Sequence, residues 1–557
     1  MTRCATRRGL RRLASVGAVA AVTALLVAGC GGSVDGGGAP SGSAVSFNGD
    51  LSGTQPAGTV IATSGFDVAK NGFNFENYGN EGDPLNLDAA AMASLFGDQV
   101  CSRTTKDGEC KLTPTAKKWM KSMNDSMGGG HCFGLAGLSW AMFKGQIDAD
   151  AYGASQASEL EFDGNQDLQA DIAAVFATQA TAPTSADMRT YAPRDVLSAL
   201  AAAWQNGDGF ALGFANLRDG EQVDGHAVTP VALESMGDGK VAIVLYDNNY
   251  PEQPQRMVVD PQANTWTYST SSNPADDPQA YTGDADNPLE LWPVVPMLGP
   301  QDCPFCSDGS SAQASGLDGA KRSVSGGSAF NLVYLNQESD AKGVAISVTD
   351  LAGQPIPGAQ ARSPLSAGQT APPAVSVPKD VVFKVRIDGS ALTQPAQTDL
   401  SIIGPGYSYA VDQVTIDPGV ADTVVFDPAS NALEYQTSTG AAPDLTLTLD
   451  GDKASYSFLF GGLDLPAQGG SIKVRLDEAA QTVTASAAGG DTSEIDFVIE
   501  RDDEDSEEVF ESEPIPLAPG EALIVEYGKW GGSGTSMPVG IDTDGSGRIT
   551  EQLVDAK

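Results

Sequence analysis

Gly128-Gly129-Gly130-His131-Cys132-Phe133-Gly134-Leu135-Ala136-Gly137-Leu138-Ser139-Trp140 is the stretch on which the fold turns. Three glycines let the backbone bend sharply. After them Phe133, Ala136, Leu138, Trp140 and Phe143 predict a mostly apolar, buried helix that begins at or near Cys132. A helix start presents unpaired N–H groups and the positive end of the dipole, and both favour a thiolate. An ordinary cysteine, with a pKa of about 8.5, is only a few per cent ionised near neutrality, so the placement matters. The Cys132 N–H is also placed to face the oxygen of an attacked carbonyl.

Whether that thiol is free depends on the other cysteines, and the N-terminus claims two of the seven. Arg3, Arg7, Arg8, Arg11 and Arg12 precede the apolar run Leu13 to Val27, a charged leader whose apolar part is too short to span a bilayer. Leu26-Val27-Ala28-Gly29-Cys30 resembles the bacterial lipobox, which implies lipidation of Cys30 after removal of residues 1–29. Residues 30–46, rich in Gly and Ser, then read as a flexible tether. No other stretch approaches 18 consecutive apolar residues. The expectation is an exported protein, held by lipid on the outer face of the bacterial cell membrane.

Cys4 departs with the leader and Cys30 with the anchor. Five cysteines remain in an oxidising compartment. Cys101 and Cys110 flank a polar turn that suits a local disulfide. Cys303-Pro304-Phe305-Cys306 reads as a second small clip, since no thioredoxin-like pattern surrounds it and no further zinc ligands lie nearby. Cys132 is left over.

A reactive cysteine needs a base, and the chain has two histidines. His131 is the immediate neighbour of Cys132, and adjacent helix positions diverge. His226 remains, in Asp224-Gly225-His226-Ala227-Val228 at the head of a strand-like run. After the turn Met236-Gly237-Asp238-Gly239, a second strand, Lys240 to Tyr246, opens into Asp247-Asn248-Asn249. Antiparallel pairing would bring Asp247 back to His226, where a carboxylate orients an imidazole and stabilises its cation.

This cysteine-headed helix, followed by Gly-His-Ala on one strand and Asp or Asn after the next, resembles the papain-like cysteine peptidase superfamily, closest to bacterial relatives of the bacteriocin-leader-peptidase kind. The resemblance covers roughly Phe47 to Leu298. It implies Cys132 as nucleophile, His226 as general base and acid, and Asp247 as the orienting residue, with Asn248 as the fallback. The family commonly has a Gln about six residues before the cysteine for the oxyanion hole; here Ser126 stands there, and Asn124 is the candidate substitute. No cofactor is implied for catalysis.

Around this centre, Leu87 to Phe96, Thr113 to Met127 and a segment from Ala192 read as helices. Gly209 to Phe214 reads as a strand, and Arg256–Asp260 with Thr265–Ser269 as a hairpin. The fold class is α+β for this papain-like domain, residues 47–300, followed by all-β modules. Residues 301–328 read as a polar linker carrying the clip. Short β-rich runs separated by turns then predict two β-sandwich modules, 329–440 and 441–535. Arg501 to Glu508 reads as a solvated acidic hairpin tip. In the tail, 536–557, Asp542-Thr543-Asp544-Gly545-Ser546-Gly547 resembles the start of an EF-hand loop. It implies calcium ligation by Asp542, Asp544 and Ser546 without the usual acidic residue at the twelfth position, which is Leu553.

Length sets an expectation of about three to four domains for 557 residues. Lys plus Arg number 32 against 72 Asp plus Glu, a net charge of -40, which excludes nucleic acid as a partner. The sequence therefore points to a surface-anchored, cysteine-dependent hydrolase acting on a protein or peptide, with the membrane engaged through lipid. The alternative is an inactive papain-like scaffold in a cell-surface binding or adhesion lipoprotein.

Overall fold

The computed structural model describes residues 58–553 apart from 219–220, 270–280, 338–343, 362–364, 366–373, 452, 463, 468, 490–492 and 533. Cys30, the leader and the tether lie outside the described residues. Strands make up 41% of the chain and helices 20%, so β-sheet dominates. Helices concentrate in the first half, and the described residues of the second half form strands apart from one short 3-10 turn at Tyr527–Lys529.

The first half has eight helices among the described residues: α1 (Val68–Asn71), α2 (Ala89–Phe96), α3 (Pro114–Ser126), α4 (Cys132–Phe143), α5 (Gln166–Thr178), α6 (Thr184–Asp187), α7 (Pro193–Asn206) and α8 (Val294–Leu298). Thr113 caps α3 by accepting from the Ala116 N–H, with Pro114 in the first turn, as the sequence leads one to expect. Helix α4 is apolar on every side, and Cys132 to Ala141 are all buried. It is a central helix. The unanticipated α5 packs along it and is itself buried from Ile172 to Thr178.

Helices α4, α6 and α7 pack on an antiparallel sheet built from β1 (Thr59–Thr63), β4 (Arg189–Tyr191), β5 (Phe210–Arg218), β6 (Glu221–Ser235), β7 (Val241–Tyr246), β8 (Pro254–Asp260), β9 (Thr265–Tyr268), β10 (Tyr281–Gly283) and β11 (Leu289–Pro293). The spatial order is β10-β9-β8-β7-β6-β5-β11-β4, with β1 added to the end of β6. Strand β6 serves two partners: Glu221 to Val228 pairs with β5, and Thr229 to Ser235 with β7, an irregularity at Pro230–Ala232 marking the change. A small hairpin, β2 (Cys101–Thr104) with β3 (Cys110–Leu112), is bridged by the Cys101–Cys110 disulfide.

Residues 301–328 are not the open linker their Gly/Ser content suggests. The Cys303–Cys306 disulfide forms. Between the two cysteines, Phe305 is fully buried, stacked on Trp119 and edge-on to Phe96. Strands β12 (Ser311–Ala314) and β13 (Arg322–Ser325) then make a hairpin packed on α2. Hairpin hydrogen bonds satisfy the polar backbone, and Ala312, Ala314 and Val324 supply a small apolar cluster.

The expected break between two modules at 440/441 coincides with no break in either sheet. One sheet runs Gln360–Ala361, Ala374–Pro378, Phe330–Gln337, Ala396–Gly404, Tyr407–Ile416, Asp444–Leu449, Ala454–Gly461, Ser493–Asp503, Glu507–Glu511, and Ile515–Leu517 pairs with Ser493–Asp503. The other runs Ala345–Thr349, Phe383–Asp388, Ala421–Asp427, Ala432–Gln436, Ser471–Asp477, Thr482–Ala488, Ala522–Val525, Val539–Asp542, Glu551–Leu553. The boundary is bridged in both, by Tyr407–Ile416 against Asp444–Leu449 and by Ala432–Gln436 against Ser471–Asp477. A single apolar core extends from Val333 to Ile541. The 536–557 tail supplies the last two strands of the second sheet up to Leu553 and is not a separate appendage.

The halves are joined at α3, at β2 and through an apolar cluster that takes in Leu332, Tyr334, Ala374 and Ile403 of the second half. Asp450 accepts from the Thr113 hydroxyl at 2.8 Å and the Thr115 N–H at 3.3 Å, and Lys118 pairs with Asp412 at 3.5 Å. Asp502, expected at a solvated tip, instead accepts from Ser102 and Arg103 of the first half. The turn itself, closed by Asp503 and Ser506, does lie at a hairpin end.

Candidate active site

Gly130, at φ 138°, turns the chain from α3 into α4 in a conformation that side chains disfavour, and Cys132 becomes the first residue of the helix. Its thiol is free and fully buried. His226 lies on β6 opposite Phe214 of β5, whose ring it meets edge-on. Antiparallel pairing of β6 with β7 returns the chain, and Asp247 follows the last residue of β7. Its Oδ1 lies 2.8 Å from His226 Nε2. The three residues proposed from sequence are thus brought together, the Cys132 sulfur lying close enough to His226 to influence its charge.

Asp247 is saturated with donors. Besides His226 it accepts from the Asn249 N–H at 2.9 Å and from the Tyr268 hydroxyl of β9. Burial alone would raise its pKa, but the imidazole and these hydrogen bonds win and lower it. For His226, burial opposes the charged form; the Asp247 carboxylate outweighs it, helped by the Cys132 sulfur, and the pKa is raised to about 10. The imidazole, bonded to Asp247 through Nε2, also engages the Cys132 sulfur.

Asn248 is no substitute for Asp247. Its Nδ2 donates to the carbonyls of Cys132 at 3.0 Å and Ala227 at 3.1 Å, tying helix α4 to strand β6. A residue missed from sequence adds a second tie. Asn77 accepts from the His131 N–H at 2.8 Å and donates to Asn249 Oδ1 at 3.0 Å, clamping the loop before α4 to the loop after β7. Only the Asn-rich character of the stretch up to Asn86 signalled it.

Asn124 does not reach the site. Its Oδ1 accepts from the Leu87 N–H and its Nδ2 donates to the Leu87 carbonyl, both at 3.0 Å, so the side chain fastens the approach to α2. Ser126 is turned back onto the Met123 carbonyl. His131 is structural: its ring nitrogens face the Tyr78 carbonyl at 2.7 Å and Asn86 Oδ1 at 2.9 Å, and it stacks on Tyr78. Burial lowers its pKa to about 4.

At the edge of the second sheet, Asp542, Asp544 and Ser546 fall at the turn between Val539–Asp542 and Glu551–Leu553. Asp542 accepts from the N–H groups of Asp544, Ser546 and Gly547, which close the turn. Among the described residues no three His, Cys, Asp or Glu side chains group as a metal cage. None of their helices is long and apolar enough to cross a membrane.

No family model, curated protein or solved structure matches the chain.

Proposed function

We propose that the protein is a papain-like, cysteine-dependent hydrolase, held on the outer face of the bacterial cell membrane through a lipid on Cys30 and acting on a protein or peptide. One observation carries the reading. The single free cysteine among the described residues heads a buried helix beside a histidine whose far nitrogen is bonded to a buried carboxylate. Structural histidines seldom need a buried charge behind them; a catalytic one does, to hold its tautomer and stabilise its cation.

In this reading the Cys132 thiol first passes its proton to the neutral His226 imidazole, and the thiolate of the resulting thiolate–imidazolium pair attacks the substrate carbonyl, forming a thioester as the C–N bond breaks. His226, kept protonated by Asp247, gives its proton to the departing amine, and the neutral imidazole then takes a proton from the water that hydrolyses the thioester. Tyr268 and the Asn249 N–H hold Asp247; Asn248 and Asn77 fix the relative position of helix and strand. With Asn124 engaged elsewhere, the Cys132 N–H is the oxyanion donor of the proposal. Transfer of the acyl group to an amine instead of water is the same chemistry with another acceptor.

Site-specific alkylation tests this. Iodoacetamide should modify Cys132 at least about tenfold faster in the wild type than in His226→Ala at pH 7, read by mass spectrometry of the Cys132 peptide. Equal rates would favour the second reading, an inert scaffold within a surface binding protein, which the full burial of the thiol supports.

A further inference from the structure

Leu365 belongs to the double-sheet half, between Gln360–Ala361 and Ala374–Pro378. Yet it is 3% exposed and packs into the core of the first half. Its carbonyl accepts from the Cys132 thiol at 3.6 Å, and its N–H donates to Gln179 Oε1 at 2.8 Å. Both backbone groups are therefore held as a bound peptide's would be.

The side chain has a shaped place. A Cβ on Gly213 of β5 would come within 2.6 Å of one Leu365 methyl, and a Cβ on Gly225 of β6 within 2.8 Å of the other. Any larger residue at either glycine would fill the space the leucine takes. One polar group beside it is unspent: Gln222 Nε2, 2.8 Å from the same Gly225 Cβ position, is buried with no partner among the described residues.

We propose that Leu365 is an in cis ligand of the Cys132 cleft. It occupies a pocket for a branched aliphatic side chain and keeps the thiol covered until a peptide bearing such a side chain displaces it. The inference rests on the hydrolase reading for the identity of that competitor. As placed, the Cys132 sulfur engages the Leu365 carbonyl oxygen through its hydrogen and not the carbonyl carbon that a nucleophile attacks.

The test uses the full chain and iodoacetamide, with Cys132 labelling followed by peptide mass spectrometry. Leu365→Gly should accelerate labelling at least about tenfold and Leu365→Ala by less, while Leu365→Met stays near the wild type, with melting temperatures measured for all. In Leu365→Gly, millimolar N-acetyl-leucine N-methylamide should restore protection and N-acetyl-aspartate N-methylamide should not. Should Leu365→Gly not fold, Leu365→Ala carries the comparison. Equal rates in the wild type and the folded small-residue variants, or equal protection by the two amides, would overturn the proposal. Adding His226→Ala to Leu365→Gly separates the two ideas: an unchanged labelling rate there removes the hydrolase reading and leaves the occupancy of the cleft standing.

Discussion

In the first half of the molecule the polar groups lie at the centre. Cys132, Asp247 and Asn248 are fully buried and His226 is 1% exposed, all within one apolar core. In the second half the centre is Phe383, Val385, Val424, Phe458, Val474 and Phe497, contributed by alternating residues of two facing sheets. Much of its buried charge lies to one side, where Asp412 and Asp502 are engaged by residues of the first half and Asp450 is bonded to α3, while Asp422 and Asp542 are held by hydrogen bonds within the half itself. One core spends stability on a buried ionic network, whereas the other puts charge where it glues the halves together. Buried ion pairs contribute little net stability against an apolar replacement, but removing one partner is costly. The first half therefore carries an arrangement that packing alone would not select.

Paired substitutions make that contrast measurable. Asp247→Ala strands the His226 imidazole in the core and should cost about 3–5 kcal/mol in urea denaturation. Phe458→Ala, which opens a cavity in the double-sheet core, should cost a similar amount. Only Asp247→Ala should also slow Cys132 alkylation; an equal slowing by Phe458→Ala would mean that the two regions are not distinct. The Asp247→Ala effect has a pH signature. His226 has a raised pKa, so its contribution is whole below its unfolded value of about 6.5 and is lost as pH climbs through about 10. Asp247 has a lowered pKa, so its contribution is whole above about 3.9 and is lost in acid. The gap between variant and wild type should thus be widest between about pH 4 and 6.5.

A smaller effect is expected at Asn248. Asn248→Ala leaves the Ala227 carbonyl without this donor and loosens the tie from α4 to β6, a loss of about 1–3 kcal/mol by denaturation. As a positioning residue it should slow Cys132 alkylation severalfold without shifting the pH at which the rate changes. A shifted midpoint would mean that Asn248 acts on the charge of His226 and not on its position.

The contrast also governs what the sequence discloses. Cys132, His226 and Asp247 could be found because reactive residues are scarce: two histidines and one unpaired thiol leave few combinations, and a hairpin is a local signal. Helices α2, α3 and α7 announce themselves through caps or an initial proline. Asn124 was misplaced because spacing along a helix does not tell which way an amide points, and Leu87 offered it both a donor and an acceptor. Strand runs in the second half were visible, but alternation does not say which strand pairs with which, so two continuous sheets read as two modules. The 301–328 segment misled for a related reason: small polar residues suit a linker and a hairpin equally. Leu365 is the extreme case. It is 233 positions from Cys132, and nothing in its neighbourhood marks it.

The finest test of the contrast lies at the seam. Asp450 is pushed up to about 6 by burial, only partly relieved by the Thr113 hydroxyl and the Thr115 N–H. A carboxyl with a raised native pKa binds its proton more tightly when folded, so its contribution is whole below the unfolded value of about 3.9 and is lost as pH rises through about 6. Asp450→Asn removes that titration. Denaturation of variant and wild type should diverge between about pH 4 and 6 in favour of the variant, by about 1–2 kcal/mol once partial solvent access to Asp450 is allowed for. Cys132 alkylation should follow the wild type throughout. If it changed in step with Asp450, the seam would be coupled to the thiol site, and the two regions would have to be treated as one electrostatic unit.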